Sequence, residues 1–200
     1  MLNRISDLPA TFLGPEEYRS DAGARFAAID DFFWKLERRQ SFQEEDDDGY
    51  RAFMRGDWDG AQRMEARALG ALRRRFESVG FEYRRVRIVE RPVSPYLQWE
   101  MQALRVRAEA GEGIRVLDAE AVHGQEEGGL LPEVVIVGTG ALYEVGYDQA
   151  GVHNGARRIV DQEVIGACRA EMAVLWDKGE DLASYVTREI DPLPPPLAQL

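Results

Sequence analysis

The chain has 200 residues, of which 44% are hydrophobic and 10% aromatic, the composition of a globular protein with an ordinary core. Its formal net charge is −11, which disfavours attraction to phosphate backbones and predicts no direct contact with nucleic acid. Its longest aliphatic run, residues 134–137, is far shorter than the roughly 20 residues that cross a bilayer. The single cysteine, Cys168, excludes an internal disulfide. We therefore expect a soluble, cytoplasmic protein without membrane contact.

Residues 1–60 predict an irregular N-terminal subdomain packed on the rest of the chain. A short helix is followed by a strand over residues 33–42, in which apolar Trp34 and Leu36 alternate with charged residues. The acidic block at residues 44–48 predicts a solvated loop, because five successive acids repel one another.

Residues 61–190 predict the α/β core domain. One apolar stripe indicates a helix over residues 61–79; its members are Met64, Ala68, Leu72, Phe76 and Val79. The next segment, 81–89, predicts a strand with Val86 on one face and Arg85 and Arg87 on the other. Ser94 followed by Pro95 is typical of a helix start.

The second half of the core predicts a strand over residues 113–119, a hairpin and a long helix. Two strands flank Gly138-Thr139-Gly140, a tight-turn pattern, and the following helix starts at an Asp161 cap and stops at Gly179. Residues 191–200 predict a mobile Pro-rich tail.

These elements indicate an α/β or α+β fold, a mixed sheet covered by the two long helices. We expect the strands over residues 81–89 and 134–137 to be neighbours in that sheet. The helix over residues 61–79 should pack on this sheet.

Four segments carry a likeness to known proteins: FWKLERRQSF, RRVRIVERPVSPYLQWEM, AGEGIRVLDA and VVIVGTGALYEVGYDQAGVHNGARRIVD. In them the chain resembles a large bacterial family of uncharacterised proteins, a domain of unknown function, over residues 32–178. Its members are often encoded beside helix-turn-helix regulators or in secondary-metabolite gene clusters. The resemblance implies a transcription regulator as a partner, and no particular reaction.

The order of elements is also similar to one half of a phospholipase D-like domain. That superfamily uses a His-x-Lys motif followed by an Asp, in which histidine attacks phosphorus and lysine neutralises the phosphoryl charge. Here His123 is followed by Gly-Gln and His153 by Asn-Gly. The sequence thus departs from the motif, so phospholipase D chemistry is excluded whether or not the fold likeness holds.

The polar residues of the 81–89 strand and the next helix form the first candidate site. Arg85 and Arg87 would clamp an anion, Glu100 would act as general acid or base, and Tyr96 would orient the ligand. The alternative is structural: an Arg–Glu pair on a solvated sheet face with Tyr96 in packing. Arg84, Arg87 and Arg91 also offer a docking face for an acidic partner.

A second candidate site combines His153 with Tyr147 and Asp148 as a proton relay, since histidine titrates near neutrality. The alternative is an exposed histidine in a Gly-flanked loop. Cys168 lies on the apolar stripe of its helix, which predicts a buried small hydrophobe rather than a nucleophile. Neither the histidines nor the acidic block has metal-ligand spacing, so no metal or cofactor is expected.

The sequence favours a non-catalytic regulatory or interaction protein that binds a protein partner or a small molecule. The alternative is a small cofactor-free biosynthetic enzyme that uses Arg87, Tyr96 and Glu100 in a cleft. An enclosed pocket around these residues would favour a ligand-binding protein or an enzyme. A flat surface there would favour an interaction protein.

Overall fold

A computed structural model describes residues 1–196 of the chain. It has an α+β fold built on one eight-stranded mixed sheet, as expected, with the strand order β1-β7-β6-β5-β2-β3-β4-β8. The strands are β1 (Thr11–Leu13), β2 (Phe32–Glu37), β3 (Glu82–Val89), β4 (Gly113–Asp118), β5 (Glu133–Val137), β6 (Ala141–Tyr147), β7 (His153–Ile159) and β8 (Glu180–Asp181). The α-helices are α1 (Pro15–Ala28), α2 (Asp48–Met54), α3 (Trp58–Ser78), α4 (Pro95–Glu109), α5 (Gln162–Lys178) and α6 (Leu182–Tyr185).

The helix ends follow the expected capping chemistry. The side chain of Asp57 accepts a hydrogen bond from the Gly60 amide at 2.9 Å and starts α3. The side chain of Ser94 accepts one from the Leu97 amide at 3.1 Å and starts α4. Each cap satisfies an amide that has no partner within its own helix.

The centre of the sheet is β2, which pairs parallel with β3 and antiparallel with β5. The expectation that β3 and β5 are neighbours is therefore wrong, because β2 lies between them. One sheet runs through both predicted regions, since residues 1–60 supply this central strand as well as the edge strand β1. They are consequently not an irregular subdomain packed on a separate core.

One face of the sheet is covered by α5 together with N-terminal residues such as Leu2 and with Val122 from the segment between β4 and β5. The buried face of α5 packs on alternate residues of the central strands, among them Trp34, Val86 and Ile136. Cys168 is fully buried here with Met172, as the apolar stripe predicted. Alternation in β2 and β3 directs the neighbouring residues to the opposite face.

The opposite face is covered by α1, α3 and α4, which leave a space between themselves and the sheet. Phe76 near the end of α3 is buried against Tyr83 of β3, with ring centroids 5.1 Å apart. Ala68 and Leu72 of the α3 stripe are only half-buried and line a cavity, whereas Met64 packs against the apolar cluster that contains Trp99. The helix therefore contacts the sheet through Phe76, and the cavity lies between the middle of the helix and the sheet.

Strands β1 and β7 have no counterpart in the sequence analysis. Their residues lack a clear apolar alternation, and β7 contains Arg157 and Arg158. Of the tail predicted for residues 191–200, residues 197–200 lie outside the described residues. None of the helices among residues 1–196 combines the length and the apolar composition of a membrane-spanning helix.

Candidate ligand-binding cavity

A cavity of about 770 Å³ lies between the sheet and helices α1, α3 and α4. Its floor comes from β2, β3 and β5, and one end is closed by the segment between β2 and α2. Ligand pockets of proteins commonly have volumes of about 300–1,000 Å³. We call this space the main cavity. It contains an aromatic lobe, a charged belt and an acidic lobe, which follow one another along α3.

The aromatic lobe is formed by Phe26, Phe33, Leu72 and Tyr83. Phe26 meets Phe33 edge-on with ring centroids 5.3 Å apart, and Phe33 meets Tyr83 at 4.5 Å. The Arg75 guanidinium lies 5.5 Å from the centre of the Phe26 ring. This end of the cavity therefore offers apolar contact from four elements, α1, β2, α3 and β3.

The charged belt crosses the floor of the main cavity. Arg85 donates from Nη1 to Oε2 of Glu37 at 2.7 Å and from Nε to Oε1 of Glu112 at 2.7 Å. Lys35 pairs with the other oxygen of Glu37 at 2.5 Å, and Arg107 with Glu112 at 2.5 Å. Three cations thus face two carboxylates in a buried network.

The belt keeps its carboxylates ionised. Burial acts to raise the pKa of Glu112, but the attraction of Arg85 and Arg107 outweighs it and holds that pKa below its usual value. The pKa of Glu37 is lowered for the same reason, by Arg85, Lys35 and Arg87 against the effect of burial. Both groups therefore serve as fixed negative charges.

Arg87 and Glu100 form a separate buried pair beside the belt. Nε of Arg87 lies 2.9 Å from Oε2 of Glu100 and Nη2 lies 2.8 Å from the same oxygen. Oε1 of Glu100 has no hydrogen-bond donor among residues 1–196 and is not fully enclosed, and the side chain lines the main cavity. A carboxylate that is 6% exposed thus presents a free oxygen to this space.

The pKa of Glu100 is raised to about 7. Burial is the largest cause, and the neighbouring carboxylates of Glu37 and Glu44 add to it, while Arg87 opposes them. At neutral pH this group can consequently hold or release a proton.

The acidic lobe contains Glu100 together with Glu44, Asp47 and Glu65. Burial and the nearby carboxylates raise the pKa of Glu44, and they raise that of Glu65 to about 7. Glu65 has no hydrogen-bond or ion-pair partner among the residues that the structure describes. Trp99 and Phe42 line the same end of the cavity. The lobe is therefore short of positive charge and has aromatic walls.

Tyr96 reaches the site indirectly. Its hydroxyl donates to a carboxylate oxygen of Glu44, and its ring lies 5.6 Å from that of Trp99. It is buried but does not line the main cavity. Arg87 and Tyr96 thus do not line the main cavity, but each contacts a carboxylate that does. Arg87 contacts Glu100, and Tyr96 contacts Glu44.

Of the second candidate site, only Tyr147 and His153 lie together in the structure, and Asp148 lies elsewhere. Tyr147 and His153 both line the main cavity, with ring centroids 5.8 Å apart. His153 begins β7 and is not in an exposed loop, and burial lowers its pKa, with Arg19 adding to that effect. Asp148 instead accepts hydrogen bonds from the Ala150 and Val152 amides at 2.9 Å and closes the turn before β7. A relay through Asp148 has no geometric support.

Sequence reasoning missed Lys35, Glu37, Glu44, Glu65 and Trp99 as cavity residues. Lys35 and Glu37 could have been found if the pairing of β2 with β3 had been known. In that pairing Lys35 lies opposite Arg85, and Glu37 lies opposite Arg87. The acidic block gave no such signal. The prediction that all of it is a solvated loop is wrong for Glu44, which turns inward onto Tyr96.

A smaller pocket of about 470 Å³ lies near the carboxyl ends of β3 and β4. Its principal cations already have partners: Arg38 pairs with Glu90 at 2.7 Å and Glu126 at 2.6 Å, and Arg91 with Asp118 at 3.0 Å. The main cavity, whose acidic lobe lacks cations, is therefore the stronger candidate site.

Comparison with known proteins defines the class of this protein. Residues 20–187 match the model of a family described as Domain of unknown function (DUF6879). The chain belongs to this family, which confirms the expected membership of an uncharacterised family. Among curated protein sequences, none matches the chain significantly.

One solved structure similar to this chain is that of TrmBL2, an archaeal chromatin protein described as showing a novel mode of DNA binding. The sequences are 12% identical, the TM-score is 0.44, and the match covers 88% of this chain and 55% of that one. This DNA-binding neighbour stands against the expectation of no direct contact with nucleic acid, and that expectation is withdrawn. At this TM-score the likeness gives no argument for a function of the present chain.

Proposed function

We propose that this protein binds a small molecule in the main cavity and acts as a non-catalytic regulatory protein. The observation that carries this proposal is the free oxygen of Glu100 in a partly open cavity of about 770 Å³. Buried charged groups are costly unless they are paired. Charged groups that line a cavity therefore favour a ligand-binding function over a purely surface interaction.

The preformed belt supports the same proposal. Arg85 and Glu112 hold each other in fixed orientations, so polar groups of the cavity are positioned before any ligand arrives. Preorganised polar groups in a largely apolar pocket give a ligand-binding site both affinity and orientation.

The resemblance to proteins encoded beside helix-turn-helix regulators belongs to this proposal. Binding of the ligand would then change the interaction of this protein with a transcription regulator in a bacterial cytoplasm. The gene for the protein would belong to a biosynthetic gene cluster. The phospholipase D-like likeness of the fold remains part of the same expectation. The exposed Arg91, which pairs with Asp118 and Glu189, belongs to the face proposed for an acidic partner.

An acid–base enzyme without a cofactor is the second candidate function. It is favoured by the pKa of about 7 for Glu100, because a general acid or base works best when its pKa lies near the working pH. Arg87 would keep the carboxyl in place, and Tyr96 would act through Glu44. Ligands found for the cavity should be incubated with the protein and followed by mass spectrometry. Conversion that is lost in a folded Glu100→Gln protein would favour the enzyme.

Filling the cavity tests the proposed binding function. Ala68 lies on the half-buried face of α3 and lines the main cavity, while Ala71 lies on the exposed face of the same helix. A fragment library of neutral, cationic and anionic aromatic compounds is screened by ligand-observed NMR. Fragments that bind the unmodified protein should lose binding in Ala68→Phe and keep it in Ala71→Phe.

Two results would contradict the proposal. Either no fragment of any charge binds, or those that bind are equally insensitive to both alanine substitutions. Circular dichroism of Ala68→Phe and Ala71→Phe establishes that both variants are folded before binding is compared.

A further inference from the structure

We infer that the ligand of the main cavity is an amphiphilic amine, with its protonated nitrogen in the acidic lobe and its apolar body in the aromatic lobe. This inference rests on the proposed binding function and specifies the chemical class of the ligand.

Charge balance places the cationic end of the ligand. Arg87 pairs with Glu100, and the three cations of the belt, Lys35, Arg85 and Arg107, all pair with Glu37 or Glu112. Glu44, Asp47 and Glu65 remain without an ion-pair partner inside the cavity among residues 1–196. The nearest such contact of Asp47 is a helix-capping bond from the Tyr50 amide at 2.8 Å. Uncompensated carboxylates in a partly dehydrated space attract a cation.

Glu100 supplies an independent sign of a missing partner. Its two contacts with Arg87 both use Oε2, which leaves Oε1 without a donor although only 7% of the side chain is exposed. A carboxylate oxygen that faces a cavity without a donor gains a hydrogen bond from a ligand N–H. A protonated amine has three such donors.

A metal ion is a poorer fit for the acidic lobe than an amine. Among the described residues 1–196, no group of three His, Cys, Asp or Glu side chains is placed to hold a metal ion. The carboxylates are therefore spread around the lobe and do not converge on one point. The aromatic walls from Phe42 and Trp99 also suit an alkylammonium, which gains attraction from ring faces.

The length of the cavity sets the distance between the amine and the apolar body of the ligand. Glu65 and Leu72 lie on the same helix, and at a rise of ~1.5 Å per residue about 10 Å separate them. Between them, the small side chains of Ala68 and Ala103 leave room above the belt. A phenyl ring joined to an amine by a four-carbon chain has a comparable reach. Its ring would pack on Phe26, and its nitrogen would meet Glu65.

Three matched probes test the class of ligand: 4-phenylbutylamine, 4-phenylbutan-1-ol and 4-phenylbutyrate. They share one apolar body and differ in the charge of the end group. Isothermal titration at pH 7.5 should show the amine binding at least tenfold more tightly than the alcohol, and the carboxylate binding more weakly than either.

Two carboxylate substitutions locate the nitrogen. Glu65→Gln should reduce amine affinity at least fivefold and leave alcohol affinity within twofold, because it removes charge while keeping shape. Glu77→Gln is the matched control: Glu77 is exposed on the same helix and does not line the main cavity. It should change neither affinity.

The failure of this inference differs from a failure of the proposed function. Binding of the alcohol or the carboxylate as tightly as the amine, abolished by Ala68→Phe, would overturn the amine and leave cavity binding intact. The same holds if library fragments bind the cavity and the amine does not. Amine selectivity that survives both Glu65→Gln and Glu44→Gln would also overturn it. A library with no cavity-dependent binder would contradict both.

Discussion

Arg87 donates from Nε to Oε2 of Glu100 at 2.9 Å, and both residues are buried. Strand β3 and helix α4 are thus joined by a buried ion pair that also forms part of the cavity wall. Removing one member of such a pair leaves the other charged and dehydrated. A substitution of Glu100 therefore changes stability as well as the cavity wall, so its effect on function is compared only in protein shown to be folded.

We predict that Arg87→Met lowers the free energy of unfolding by about 3–5 kcal/mol. The double variant Arg87→Met/Glu100→Gln should lose less than the sum of the two single losses, because it leaves no unpaired buried charge. Urea denaturation of the four proteins measures this coupling. Arg105→Met is the control: its pair with Asp191 is exposed, so its loss should stay below about 1 kcal/mol. Additive losses at Arg87 and Glu100 would show that the two side chains are not coupled.

The pH dependence of stability provides a second prediction. The pKa of Glu65 is raised to about 7, mainly by burial and then by Asp47 and Glu44, with Arg107 opposing them. An unfolded chain releases this proton near pH 4.3. Between about pH 4.5 and 7 the unfolded state therefore binds fewer protons, and the contribution of Glu65 to stability falls as pH rises.

The Glu65→Gln protein should accordingly lose less stability than the unmodified protein between pH 5 and pH 8. Urea denaturation at the two pH values measures the difference, with Glu77→Gln as the control that retains the original dependence. The pKa of Glu100 is shifted in the same direction. Its contribution to the pH dependence of stability is the same in all three proteins, so it does not affect the comparison. An identical pH dependence in Glu65→Gln would mean that its carboxyl has an ordinary pKa.

Phe76 tests the contact between α3 and the sheet. It is 8% exposed, packs against Tyr83, and lies 5.7 Å from the Arg107 guanidinium. Phe76→Ala should lower the free energy of unfolding by about 3–5 kcal/mol, through lost burial and the space left behind. Val174→Ala on the exposed side of α5 should cost less than about 0.5 kcal/mol. A loss below about 1 kcal/mol at Phe76 would show that this end of α3 is not anchored.

Hydrogen exchange tests the position of β5 in the sheet. Its residues Val134 and Ile136 are fully buried, and the strand pairs on both sides, with β2 and β6. The amides of Val134–Val137 should be among the slowest to exchange, whereas those of edge strand β1 should exchange much faster. Equal exchange rates in β1 and β5, followed by NMR, would contradict the strand order.

The sequence predicted the elements whose side chains repeat with a clear period. Alternation over residues 81–89 placed Val86 and Arg87 on opposite faces of β3, and the Ser94-Pro95 pair located the start of α4. The glycine turn fixed the hairpin, since Gly138 adopts a φ of 54° that favours glycine. Strand β7 escaped prediction because its arginines hide the apolar alternation.

Local sequence determined the helices, most strands and the polar character of one sheet face, because period, caps and turns depend on near neighbours. Tertiary structure alone decided that β2 lies between β3 and β5, since strand order depends on contacts between residues far apart in the chain. It also brought Glu44 and Asp47 beside Glu65 and Glu100. In sequence the first two belong to an acidic block that predicts a solvated loop. Only the packing of α2, α3 and α4 makes these carboxylates walls of one cavity, because burial depends on what surrounds a residue.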